Sequence, residues 1–329
     1  MDESNTLNSL LEKVAVYHPL YGGGLATHLP MVLIALSKLK APDEILLKAF
    51  DNGLDELELT DNLDKVNVVE GVESELGNSG SYLSYLKYYQ RELAENGVNT
   101  VLEKTLPSLI SGIAASAFHG LIRLAYAVEA NNQSEMAIAL AFWSSEYQPF
   151  KLSDKTTEES CEDILARLSK YGENFRFSPG IIVDRMDEIA GLLQRLDSEI
   201  QPAFIDLSTI RQFAIKSYYL QDDFTLLHTV TGCHAFSIIL PFIDDVECAL
   251  RSFWKAIVVA YLSTGLAYKG EKIIIPCKEV CFDLVRDNAC LSNDSHVIKL
   301  VYSCLREYQL SGDSLYYLAA HRAVFHEHK

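Results

Sequence analysis

The chain has seven cysteines and no CxxC pair among them, so zinc fingers are excluded. An odd number of thiols, set mostly in apolar text, fits reduced cysteines. Basic residues are scarce: 28 Lys and Arg stand against 45 Asp and Glu, for a net charge of −17. With no basic patch, nucleic acid is excluded as an expected partner. No uninterrupted apolar run reaches the length of a membrane span; SIILPFI stops at Asp244 and Asp245, and Lys255 interrupts the next helix. The N-terminal MDESNTLNSLLEK is acidic and polar, unlike a secretory signal. These absences lead us to expect a cytoplasmic protein with no membrane or nucleic-acid partner; the oligomeric state is open.

Familiar catalytic patterns are missing too. There is no HExxH, no HD dipeptide, no ExxH repeat of carboxylate-bridged di-iron bundles and no GxSxG. Gly22 to Gly24 do not follow a GxGxxG spacing and no strand precedes them, so they read as a plain turn. Nine acids and one lysine between Asp51 and Glu75 lack calcium-loop spacing and read as a solvated connection.

What is present is helical periodicity. Apolar residues recur at helical spacing from residue 6 to 17, and again at 82–96, 133–147, 203–220, 223–240, 244–262, 276–288 and 295–310. A further helix starts near Pro107 and runs through LPSLISGIAASAFHGLIRLAYAVEA, its small residues suited to close packing. Only KIIIP at 272–276 alternates with period two. The expected architecture is all-α, one domain over 1–329 with a central histidine-lined cavity.

Five of the nine histidines sit in apolar company: His28, His119, His228, His234 and His296. Buried imidazoles need partners, and neutral imidazole ligates transition metals and exchanges protons near neutral pH. His228 and His234 are six residues apart, about 240° around a regular helix. Both reach one site only if the helix breaks between them, and Gly232 is the place for a break. Lys299 lies three residues after His296, on the same helical face. If buried, it would be neutral enough to act as a base or to take up carbon dioxide as a carbamate. Asp222 and Asp223 read as the start of the 223–240 helix. His321, His326 and His328 read as tail residues.

Four stretches, ATHLPMVLIALSKLKAP, FHGLIRLAYAVEA followed by AIALAFW, DFTLLHTVTGCHAF, and DSHVIKLVYSCLREY, resemble the questin oxidase-like family in wording and order. The resemblance spans about His18 to Tyr308. Members of that family oxidatively open anthraquinone or related rings, in Baeyer–Villiger-like or dioxygenase chemistry. It therefore implies an oxidoreductase that uses dioxygen on an aromatic or polyketide-like small molecule, through non-haem iron. Carried onto this chain, it implies His28, His119, His228 and His234 as metal ligands, with Lys299 as a fifth through a carbamate. Arg123, His119 and His228 are the expected catalytic residues, Arg123 binding a phenolate or carboxylate. Tyr17, Tyr21 and Phe118 are candidates for an aromatic lining. NADPH has been linked to some members, although no dinucleotide fingerprint is visible. Two alternatives stand beside this reading: a metal-free, NADPH-dependent monooxygenase with His119 and His228 in proton transfer, and a non-catalytic helical small-molecule-binding protein.

Overall fold

The computed structural model describes residues 3–55, 57–61, 66–274 and 280–325, and among them fifteen α-helices dominate. The expectation of an all-α protein holds. In chain order, α1 (Glu3–Val14), a two-residue hairpin of β1 (Leu20–Tyr21) and β2 (Leu25–Ala26), α2 (Leu29–Lys38) and α3 (Asp43–Asn52) come first. They are followed by α4 (Tyr82–Asn96), α5 (Val98–Leu109), α6 (His119–Glu129), α7 (Gln133–Ser145), α8 (Cys161–Glu173) and α9 (Ile182–Arg195). The chain closes with α10 (Leu207–Gln221), α11 (Phe224–Ile239), α12 (Val246–Ser263), α13 (Phe282–Leu291), α14 (Ser295–Ser311) and α15 (Ser314–Phe325). Strands β3 (Thr156–Thr157) and β4 (Gln201–Pro202) pair in parallel between helices. Residues 272–274 of the KIIIP stretch form no strand, and the rest of it, like the start of the 276–288 helix, lies outside the described residues.

One apolar cluster runs from Leu7 to Ala320 and includes residues of α1 and α15 alike. At its heart α2, α6, α11 and α14 pack as a closed ring: α2 against α6, α6 against α11, α11 against α14 and α14 against α2. Helix α11 is buried nearly throughout, from Thr225 to Phe236. By length and composition Phe224–Phe242 is apolar enough to cross a membrane, which the sequence reading did not anticipate. That composition is what a helix enclosed by neighbours on all sides requires, and α10, α6, α14 and α12 surround it.

The helix expected to run on from Pro107 is broken. It ends at Leu109 with a single 3-10 turn at Ile110–Gly112, and α6 begins only at His119. Ser116, Ala117 and Phe118 all adopt positive φ, at 48°, 54° and 69°. Three successive non-glycine residues in the left-handed region are costly, and such strain persists only where the surroundings enforce it. Here Trp143 Nε1 donates to the Gly112 carbonyl at 2.9 Å, and the Phe118 ring is wholly buried against Phe253. Gly120 lets α7 approach: a Cβ on it would lie 3.0 Å from Trp143 Cβ. The break brings His119 to a helix N-terminus.

The Gly22–Gly24 turn is the hairpin tip, with φ of 54°, 83° and 116°, values that favour glycine. Part of the acidic connection braces it, since Gly22 N donates to Glu58 Oε1 and Thr60 N to the Val16 carbonyl.

Candidate metal centre

Each helix of the central ring delivers one imidazole at its N-terminal end. His28 caps α2, with Pro30 in the first turn; His119 opens α6; His296 is the second residue of α14; His228 lies in the second turn of α11. Asp223 caps α11 by accepting from the Thr225 and Leu226 amides. Asp294 caps α14 by accepting from the His296 amide.

The four rings close a circuit. Centroids are 4.8 Å apart for His28 and His119, 4.9 Å for His119 and His228, 5.3 Å for His228 and His296, and 4.5 Å for His296 and His28. The tautomers follow from the partners. His119 Nδ1 donates to the Ser116 carbonyl at 2.6 Å, and His228 Nδ1 to the Phe224 carbonyl at 2.9 Å, because a carbonyl can only accept. His296 Nδ1 lies 3.4 Å from Asp294 Oδ1. His28 Nδ1 is 2.8 Å from Ser295 Oγ, a hydroxyl that can accept as well as give. Nε2 of His119, of His228 and of His296 is buried with no hydrogen-bond partner among the described residues.

Burial, followed by the positive charge of Lys299, holds His28 and His119 well below the usual imidazole range. Burial, then His296 and Lys299, does the same for His228. Lys299 itself is buried and pulled down to about 7 by desolvation. The site therefore gathers neutral imidazoles, of which His119 and His228 carry a lone pair on Nε2, beside an amine that is about half uncharged near pH 7.

Ligand atoms of His28, His119 and His296 all lie within 4.8 Å of one another. A metal–nitrogen bond of about 2.1 Å puts donors about 3.0–3.4 Å apart at octahedral cis or tetrahedral angles and about 4.2 Å apart when opposite, so the rings would close in on a shared ion. Imidazoles whose other nitrogen is anchored to a carbonyl or carboxylate are the usual arrangement of metal-bound histidine. The donor set fits a transition metal.

His234 does not join them. Helix α11 is regular through Gly232, and the six-residue spacing turns His234 to the opposite side. There it sits between two carboxylates, Nε2 at 3.8 Å from Glu129 Oε2 and Nδ1 at 3.6 Å from Glu307 Oε1. These are ion-pair rather than hydrogen-bond distances. Arg211 Nε pairs with the far oxygen of Glu307 at 2.9 Å, and Tyr302 donates to Glu129 at 2.5 Å. Burial alone would lower the His234 pKa, but the two carboxylates overcome it and raise it. A group whose pKa is raised on folding stabilises fully below its unfolded value near 6.5, and that stabilisation fades as pH climbs through the folded value. Thermal unfolding between pH 6 and 9 should therefore show a falling midpoint, flattened in His234→Gln; equal slopes in the two proteins would contradict this.

Arg123 is also elsewhere. It is fully buried, with Nε donating to Glu135 Oε1 at 2.5 Å and a second nitrogen to Oε2 at 3.2 Å. It ties α6 to α7 and lines none of the clefts described here. Phe118 is core, and Tyr17 bridges to Leu59, so of the three proposed aromatic lining residues Tyr21 alone faces the cleft.

A cleft of about 410 Å³ opens to the surface beside these rings. His28, His119, His228 and His296 line it, as do Leu25, Ile181 and Phe224. His296 was read among the apolar histidines but assigned no ligand role. The signal for it was in DSH: an aspartate cap two residues ahead places His296 in the first turn of α14, near a helix N-terminus like the other three.

An all-α body with an imidazole-lined cleft is the class of protein this fold and site define. The questin oxidase-like family matches residues 25–304, and the chain belongs to it. It is accordingly an oxidoreductase with a small-molecule substrate. No curated protein matches the chain.

Proposed function

We propose that the protein is a dioxygen-using oxidoreductase that holds non-haem iron on His28, His119, His228 and His296 and oxidises an aromatic or polyketide-like small molecule. His296 takes the place first given to His234. The observation that carries this reading is the buried, unpartnered Nε2 of His119, His228 and His296, the first two on rings whose Nδ1 is anchored to a backbone carbonyl. Iron bound there supplies the one-electron chemistry that spin-paired organic molecules need to react with dioxygen.

The chain's own residues do the rest. Four neutral imidazoles at helix N-terminal ends bring no negative charge, and the helix dipoles there oppose a cation. Lys299 supplies the compensation as a carbamate. Its neutral amine attacks carbon dioxide, a nitrogen–carbon bond forms, one N–H proton leaves to solvent, and the product carries a single negative charge on oxygen. The low pKa of Lys299 makes the amine available. The apolar cleft walls orient the substrate and exclude water from the histidines.

The test pairs Lys299→Met with wild type under ¹³C-labelled bicarbonate. A carbamate carbon resonance is expected in wild type and absent in the variant, whose iron affinity should fall about 10- to 100-fold, as for groups that tune a metal's ligands. Unchanged affinity in Lys299→Met would remove the lysine from the ligand set. Full NADPH-coupled turnover by iron-free protein would instead favour the metal-free monooxygenase.

A further inference from the structure

Among the lining residues of the cleft that the histidines share, Arg185 is the one permanently cationic side chain. It stands on α9, on the wall that also presents Ile181 and Val183, and it is solvent-exposed. Three acids lie within a helical turn of it, and each is committed to another donor. Asp184 Oδ2 accepts from the Ile181 amide at 2.8 Å, an N-terminal cap of α9. Asp187 Oδ1 accepts from Gln148 at 2.8 Å. Glu188 accepts from the Ser178 amide at 3.1 Å.

Arg185 forms no ion pair with any described residue. In a chain of net charge −17 acids are abundant, but of these three only Glu188, three residues on, stands on the same helical face as Arg185. Here the sequence has spent those acids on the backbone and on Gln148. What remains is a planar, permanently charged fork among the lining residues of the cleft, a group that recognises a carboxylate in two parallel hydrogen bonds.

From this we infer that Arg185 is the anion-recognition point of the cleft, and that the preferred ligand is a flat aromatic acid. Its ring system lies along Leu25, Ile181 and Phe224 toward the histidines, and its carboxylate meets the guanidinium. The inference rests on the cleft being the substrate site, as proposed above, and assigns to Arg185 the anion-binding role that the sequence reading gave to Arg123.

The test uses two probes of nearly equal shape, 2-naphthoate and the uncharged 2-naphthamide, titrated calorimetrically into the as-prepared protein and into protein treated with a chelator. Wild type is expected to prefer the acid by about 10-fold in both preparations, the scale of one charge-assisted pair. Arg185→Gln should lose that preference while binding the amide unchanged, and Arg185→Lys should keep part of it. Raising the salt should shrink the preference in wild type alone. Equal binding of the two probes by wild type, no binding of either, a preference that survives Arg185→Gln, or one that vanishes on chelation would each overturn the inference. Iron content measured on the as-prepared samples reports on the metal site separately: a preference in protein that neither carries iron as prepared nor takes it up on loading would remove the iron reading and leave the role of Arg185 standing.

Discussion

Substituting His119 by alanine is expected to weaken iron binding by at least about 100-fold, the upper range seen when even a ligand's hydrogen-bond partner is lost. His234→Ala, by contrast, should retain the metal. The two residues make a discriminating pair because both are buried histidines on central helices, and both were expected as ligands. His119 turns an unpartnered Nε2 into the cleft, whereas His234 faces Glu129 and Glu307. Competition with a chromogenic chelator in the absence of oxygen measures both variants on one scale. Metal lost from His234→Ala and kept by His119→Ala would invert the assignment. The cost of His234→Ala should appear in stability, since it leaves two carboxylates near each other without the cation between them.

Arg123→Ala is expected to lower stability by about 3–5 kcal/mol, the range for leaving one member of a buried ion pair unpaired. Arg123 and Glu135 are both fully buried, so the stranded carboxylate has no access to solvent. The double variant Arg123→Met with Glu135→Leu should recover most of that loss, because it removes the charge along with its partner. Urea titrations of the three proteins give the comparison, and iron per folded chain should be the same in all. An Arg123→Ala protein of wild-type stability with impaired naphthoate binding would return Arg123 to the site.

The helices were legible because their apolar residues recur at the helical period, and the buried residues of α4, Tyr82, Tyr85, Leu86, Tyr89 and Leu93, follow that period closely. The break between α5 and α6 was not. Ala114 to Phe118 have ordinary helical propensity, and their left-handed turn is imposed by Trp143, Gly112 and the burial of Phe118. Chain-local reasoning did contain the answer for His234: the angle between positions 228 and 234 separates them on any unbroken helix, and Gly232 does not break it. His296 was harder. Its role depends on α14 lying between α2 and α11, a tertiary fact with no local trace beyond the aspartate cap. Arg123 was misplaced for the same kind of reason, since its partner is on the next helix, and a cation in apolar text reads alike whether it binds a ligand or a buried acid. Lys299 was noticed by its apolar neighbours, which left its burial open because a lysine is ordinarily at the surface; it is buried.

The most direct measurement of the central claim is X-ray absorption at the iron edge on tag-free protein loaded with ferrous iron without oxygen. The account predicts near-stoichiometric iron with imidazole scattering from three to four rings at about 2.1 Å and no sulfur. Iron-free protein after loading, or a shell with fewer than two imidazoles, would contradict it.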